Sequence, residues 1–395
     1  MGIGLIDRGS TCLLAGLLLA GALLGVGSAS GQSDPIIGAP GNVAAAMEQY
    51  RRALDAYNAA HDKYIAVANA YWSSITEKRK SRNAKRAAGE ALALDDYVLD
   101  QPPVYTGPPR PRNPLKPEAP GHRVPVPVVA DFVAAAQKQF NFVPRMPQSD
   151  IAFKQVYAQV AQAAGLTKDQ VVRIYSFEAT GNGSYDVEAG LEYNKHGRAI
   201  TTALGYNQLL ATNSVEIVAE KGPQFIEEFH TEARGLADRQ RQALEYKIEA
   251  LRKMVAFARS VPDDWNQHEI LANTEKGLGV HALNLDIDVG PLLQTQKLLD
   301  SVAFARRKGV TRTLTAAELE MMNLTGDGNG FDMVTMPLQW REQVPTSNFF
   351  RPSGYFDNPV AQHNNVVAKL IAATDTRMDE ETKKQGARDL AAALR

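Results

Sequence analysis

Apolar and aromatic positions recur at spacings of three and four from Met47 to Ile75: Met47, Tyr50, Leu54, Tyr57, His61, Tyr64, Ala68, Tyr71 and Ile75. This is a heptad seam held for four heptads, and it predicts one long helix from residue 42 to about 88. Tyrosine takes every second seam position, and each hydroxyl needs a partner or water. The pattern therefore favours a helix packed on its own chain, or a helical hairpin. The Met47–Ile75 seam as a self-association or partner-helix surface is the alternative. His61 reads as an interface residue of that seam.

The pattern stays helical further on. Phe153, Val156, Tyr157, Val160 and Ala164 share one face, and Gly165 is a plausible stop. Thr167 and Gln170 form a capping box that opens a helix running to Glu178. Another long helix lies within 219–259 and ends at Arg259. A further one covers about 291–307. Thr315 and Glu318 form a second capping box, opening a helix that ends near Asn323. The last helices are expected over 359–373 and 379–394. Strand signals are scarce, apart from a possible hairpin within 184–204. The fold class expected is mainly α. Residues 101–128 hold ten of the chain's 21 prolines. Proline removes amide donors and favours polyproline II, so this segment reads as a semi-stiff linker or an arm wrapped over the body.

Composition adds bounds. The chain has 395 residues, 44% of them hydrophobic, and a net charge of −1. That argues against a general polyanion binder, so no nucleic acid is expected as partner. Leu13 to Val26 is apolar, follows Arg8 and precedes a small-residue run. It reads as a signal peptide within 1–30, with cleavage near Ala29 or Ser30, against an uncleaved anchor. A periplasmic or secreted protein is expected. Cys12 is the only cysteine, so a processed chain has no thiol chemistry. The organisation expected is 1–30 signal peptide, 42–100 helical segment, 101–128 linker and 130–395 helical domain. Six Lys or Arg lie between Lys78 and Arg86. They read as a solvated helix end or as a contact for an anionic envelope polymer.

The chemistry centres on Glu178. A helix C-terminus carries partial negative charge, so a carboxylate there is disfavoured by a few tenths to about 1 kcal/mol. Gly181-Asn182-Gly183 then breaks the chain. Gly205-Tyr206-Asn207-Gln208-Leu209 follows, and much later a helix ends at Asn323 near glycine. This order resembles the lytic transglycosylase and goose-type lysozyme group, remotely. The resemblance covers 150–215 and, more loosely, 313–330. Ala179 stands where that group usually has Ser or Gly, and Met322 where it has Tyr.

The resemblance implies a lysozyme-like helical body with inserted long helices, acting on peptidoglycan in the cell wall. Glu178 would be the acid and then the base of a glycosidase-like cleavage giving 1,6-anhydro-muropeptides, without a second protein carboxylate. Gln208 would bond the sugar near the cleaved bond. Gly205 and Tyr206 would shape that subsite, Tyr206 as a stacking or packing face. Asn323 would hold Glu178 or an N-acetyl group. The physics suits this role, because apolar burial and a lack of donors keep a carboxyl protonated near neutral pH. A hydrolase would need a second carboxylate, for which Asp186, Glu188 and Glu192 are candidates. The alternative function is a non-catalytic glycan-binding or scaffold protein of the cell envelope that keeps the fold.

Other signals are weak. The seven histidines are scattered without an HExxH motif. Asp327 to Asp332 has an EF-hand flavour but lacks the closing Glu. Asp286 and Asp288 read as a solvated turn before Pro291. No phosphate loop, dinucleotide fingerprint or serine elbow is present. No cofactor and no metal are expected.

Overall fold

A computed structural model describes residues 40–116, 125–191 and 198–394. The expected signal peptide, Cys12, Glu192 and residues 117–124 of the proline-rich segment lie outside the described residues. These fall into two compact units, 40–116 and 125–394. The protein is mainly α-helical; the described residues form sixteen α-helices and only isolated β-bridges. No helix among them is long and apolar enough to cross a membrane.

The first unit is built on α1 (Pro40–Ala88). Its partner is the segment that follows it, which turns back and runs antiparallel along the helix. Arg82 donates to the Asp96 carbonyl (2.9 Å), Tyr71 to the Asp100 carbonyl (3.0 Å), and the Tyr105 ring meets Tyr57, His61 and Tyr64. The lengths agree. Nine residues from 96 to 105 at about 3.1 Å each match the rise of 21 helical residues from 82 to 61 at about 1.5 Å each. The tyrosine seam is therefore half-covered by an extended arm of the same chain. The basic run is engaged too. Lys85 pairs with Asp96 (2.7 Å), Lys78 donates to the Asp95 carbonyl, and Arg82 is buried over the Tyr97 ring. Burial opposes ionisation of Asp96, but the Lys85 ammonium holds its carboxyl below the usual range.

The second unit holds α2 (Val129–Phe140), α3 (Asp150–Ala163), α4 (Lys168–Glu178), α5 (Ala211–Ala233), α6 (Asp238–Ala258), α7 (Trp265–Ala272), α8 (Glu275–His281) and α9 (Gly290–Arg307). Then come α10 (Ala316–Thr325), α11 (Asp327–Thr335), α12 (Leu338–Arg341), α13 (Pro352–Phe356), α14 (Pro359–His363), α15 (Val367–Glu381) and α16 (Gln385–Ala393). A core of Phe132, Val215, Phe225, Leu251, Val280, Leu293 and their neighbours joins α2, α5, α6, α8 and α9. Gly222 of α5 lets α6 approach closely, because a Cβ there would lie 2.4 Å from Val255 Cγ2. Beside this core, α4 packs against α10, α15 and α16.

Several helices differ from the sequence reading. The 219–259 helix is two, because the chain turns at Gly235-Leu236 and packs α6 back on α5. The 359–373 helix is interrupted between α14 and α15, where Thr346 N–H bonds the Asn365 carbonyl and Val367 N–H bonds that of Val344. The helix begun at Val367 then runs to Glu381, across the start expected at 379. Ala164 is exposed, and the buried face of α3 runs instead through Phe153, Lys154, Tyr157, Ala158 and Ala161. The residues from Asp327 on form α11 rather than a loop.

Asp286 is not in a solvated turn. It is fully buried, accepts from Lys247 Nζ (2.6 Å) and Arg145 N–H (2.8 Å), and ties the turn into α9 through Asp288 N–H and Val289 N–H. Lys247 Nζ also pairs with Asp288, so losing Asp286 leaves the ammonium one carboxylate. What is lost outright is one ion pair and the Asp286 bonds to three backbone N–H groups, about 2–4 kcal/mol together. Asp286→Ala is expected to lower the free energy of unfolding by about that much in urea titrations. A loss below about 1 kcal/mol for Asp286→Ala would show the pair to be incidental.

Candidate functional site: a buried carboxyl pair at the end of α4

The capping box at the start of α4 forms as read. Thr167 Oγ1 accepts from Gln170 N–H (3.2 Å), and Gln170 Oε1 accepts from Thr167 N–H (3.0 Å). The helix is packed along most of its length, with Val171, Ile174, Tyr175, Phe177 and Glu178 all buried. It ends at Glu178, and the chain leaves through Thr180 and Gly181, both at positive φ (57° and 69°). Only glycine suits the second of these. A Cβ at Gly181 would sit 2.3 Å from the Glu381 carbonyl oxygen at the end of α15. Tyr175 Oη then ties down the turn by donating to the Gly183 carbonyl (2.8 Å).

That exit holds the Glu178 carboxyl inward, with the residue only 8% exposed. It faces α10, whose capping box at Thr315 and Glu318 also forms. Asn323 Nδ2 donates to Glu178 Oε1 (2.7 Å). One turn earlier on the same helix face is Glu320, fully buried, with no well-formed hydrogen bond on either carboxyl oxygen. Its carboxyl lies beside that of Glu178. The ammonium of Lys297, from α9, acts on both.

Burial pushes the Glu178 carboxyl up to about 7, against the opposing pull of a hydrogen bond with Glu320, the Lys297 charge and the Asn323 amide. Burial, and next the Glu178 charge, push Glu320 well above the usual range. Two carboxyls in contact titrate as a unit, so near neutral pH the pair retains at least one proton. The arrangement can give up a proton and take it back, which is the requirement for general acid–base work.

The second expected segment is held by a buried amide network. Gln294 Oε1 accepts from Asn207 N–H (2.7 Å), and Asn207 Nδ2 donates to Tyr157 Oη (3.0 Å) and the Gln294 carbonyl (2.8 Å). Gly205, at φ 86°, lies against the Gln294 side chain, where a Cβ would come within 2.5 Å of Nε2. Tyr206 is fully buried, edge-on to Tyr175, and donates to Asp150 Oδ1 (2.9 Å). It packs the core and offers no open stacking face. Gln208, at φ 44°, donates to the carbonyls of Gly205 (2.8 Å) and Val187 (3.1 Å), so its amide stabilises its own loop.

The candidate second carboxylates separate. Glu188 Oε1 accepts from Val129 N–H (2.8 Å), the first amide of α2, which commits it to that helix end. Asp186 is on the exposed turn after Gly183, with its carboxyl raised by partial burial and by the Asp150 charge. Glu192 lies outside the described residues. Of the residues singled out in the sequence, the structure brings Glu178 and Asn323 together, with Glu320 and Lys297, which were not singled out, acting on the same carboxyl. The available signal was the three-residue spacing of Glu320 and Asn323 on a helix whose start was already marked.

Lys297 also borders a cavity of about 410 Å³ lined by Glu216, Asp300, Asp327, Trp265 and Arg306. Burial pushes Glu216 up to about 7 and Asp300 up to about 6. Glu178 does not line this cavity, and Lys297 is the residue common to both places. No group of three or more His, Cys, Asp or Glu among the described residues is arranged to hold a metal. No family model, curated protein or solved structure matches the chain.

A carboxyl whose folded pKa is raised binds a proton that the unfolded chain has released. Its contribution to stability is full below about pH 4.5 and is lost as pH rises through about 7. Glu178→Gln should therefore be more stable than the natural chain at pH 8, by about 1–3 kcal/mol, and equal to it at pH 4. Urea titrations at the two pH values check this. Equal stability at pH 8 would mean that the carboxylate is solvated.

Proposed function

We propose that the protein cleaves peptidoglycan glycan strands as a lytic transglycosylase, with Glu178 as its acid and base. The observation that carries this reading is the Glu178 carboxyl, held inward at a helix end, bonded to Asn323 and raised to about 7. The order of segments supports it, as does the resemblance to the lysozyme-like group. A strongly apolar N-terminal run supports export to the compartment where peptidoglycan lies.

Protonated Glu178 gives its proton to the glycosidic oxygen as the bond from the muramic C1 to that oxygen breaks. An oxocarbenium-like centre develops at C1. The Glu178 carboxylate then takes the proton from the C6 hydroxyl of the same sugar, whose oxygen bonds to C1. The product is a 1,6-anhydro ring, no water is consumed, and Glu178 ends protonated as it began. Asn323 holds one oxygen of Glu178 throughout. The commitment of Glu188 to α2 supports this one-glutamate route over hydrolysis with a second carboxylate. The engagement of Gln208 within its own loop and of Tyr206 in the core favours the second reading, a non-catalytic glycan-binding scaffold of the cell envelope.

Digestion of purified sacculi separates the readings. Anhydro-muropeptides should appear in the mass spectrum with the natural chain and fall at least about 100-fold with Glu178→Gln. Reducing-end products would mean a hydrolase and point to Asp186. Sacculi bound but not cut by either protein would leave the scaffold.

A further inference from the structure

Glu320 is a conspicuous group in the second unit. It is a fully buried carboxyl with no ion pair of its own; neither oxygen makes a well-formed hydrogen bond, although the Asn323 amide lies near enough to oppose the rise of its carboxyl. A carboxylate left so would be among the more costly groups a protein can bury. The same carboxyl with its proton needs one acceptor, and the acceptor beside it is Glu178. The backbone leaves little freedom in this matter. Glu320 and Asn323 are one turn apart on α10, so the helix that presents the Asn323 amide to Glu178 presents Glu320 to it as well.

We propose that Glu320 is a positioning residue for Glu178. It stays neutral and donates its carboxyl proton as a hydrogen bond to the Glu178 carboxylate whenever Glu178 has given its own proton away. With Asn323 this makes two neutral donors on one buried carboxylate. The charged group acting on the pair is Lys297 from α9. Of the charged residues of α15, which packs on both α4 and α10, Asp375 and Asp379 pair with Arg173, and Glu381 with Arg377 and Lys384. Both carboxyls are raised, each chiefly by burial, and the Glu178 charge raises Glu320 as well.

As a step in glycan cleavage this rests on the reading of Glu178 as the acid; as a hydrogen bond it does not. When the Glu178 O–H bond breaks and the leaving oxygen takes the proton, the new carboxylate accepts from Glu320. When the C6 hydroxyl proton arrives, that bond loosens. Glu320 loses no proton at any stage.

The test is the titration midpoint of the Glu178 carboxyl carbon, read by NMR on glutamate-labelled protein and assigned with Glu178→Gln. Glu320→Gln keeps a neutral donor and should hold the midpoint within about half a pH unit. Glu320→Met keeps the volume and removes the donor, and should raise the midpoint by about one to two units. In sacculus digestion the alkaline limb of the rate profile should move upward for the Met variant, with about tenfold loss of rate, and stay in place for the Gln variant. A fall of the midpoint towards 4.5 in the Gln variant would show Glu320 ionised and repelling Glu178, and would overturn the proposal. An unmoved midpoint in a folded Met variant would also overturn it, as a purely structural role. If the Met variant does not fold, the Gln variant alone decides between a held and a fallen midpoint. Titrations as expected without product from the natural chain would sink the enzyme reading and keep the pair. Product with unaltered titrations would do the reverse.

Discussion

The burial of one carboxyl at the wrong end of a helix is the constraint around which this part of the protein is arranged. The dipole of α4 opposes a negative charge at its C-terminus, and burial opposes it further. Either effect would disappear if Glu178 turned outward to water. It does not, because the chain beyond it is fixed. Thr180 and Gly181 turn left-handed against the end of α15, and the Tyr175 hydroxyl closes the turn on Gly183. The free energy stored in that unfavourable charge makes the group a proton donor near neutral pH. Sites that do chemistry are commonly less stable than they could be for this reason.

The packing around α4 serves the same end. Lys154 of α3 is buried under the rings of Tyr175 and Tyr206 and pairs with Asp150, which also receives the Tyr206 hydroxyl and Tyr185 N–H (2.9 Å). These contacts join α3, α4 and the loop from Gly205 to Leu209 into one rigid piece. Gln294 fastens that loop to α9, the helix that also carries Lys297. A carboxyl pair needs such rigidity, because a shift of about 1 Å would let water reach it and restore ordinary acidity. His281 shows how dry the adjoining core is. Burial pushes its imidazole down to about 4, and the ring stays neutral between the Ser214 hydroxyl (2.8 Å) and the Thr202 carbonyl (2.7 Å).

Much of this was legible in the sequence because local signals carry it. Both capping boxes mark true helix starts, Glu178 does end its helix, and the heptad run does form α1. What failed is what tertiary contacts decide. The break between α5 and α6 depends on the packing of one on the other, and a continuous apolar period hides it. Asp286 looked solvated because its partner Lys247 lies 39 positions earlier in sequence, on another helix. The tyrosine seam does pack on its own chain, as its hydroxyls suggested, but against an extended segment with half as many residues rather than against a helix. Asn323 was found through a motif. Glu320, three residues before it, was passed over because an acidic residue in a helix usually faces water.

The central claim is that a large share of Glu178 is still protonated at neutral pH. The most direct measurement is the titration of its carboxyl carbon in the natural chain, followed by NMR from pH 3 to 9. The account predicts a midpoint near 7. A midpoint near the ordinary value of about 4.5 would contradict it, leaving Glu178 a carboxylate at neutral pH with no proton to give.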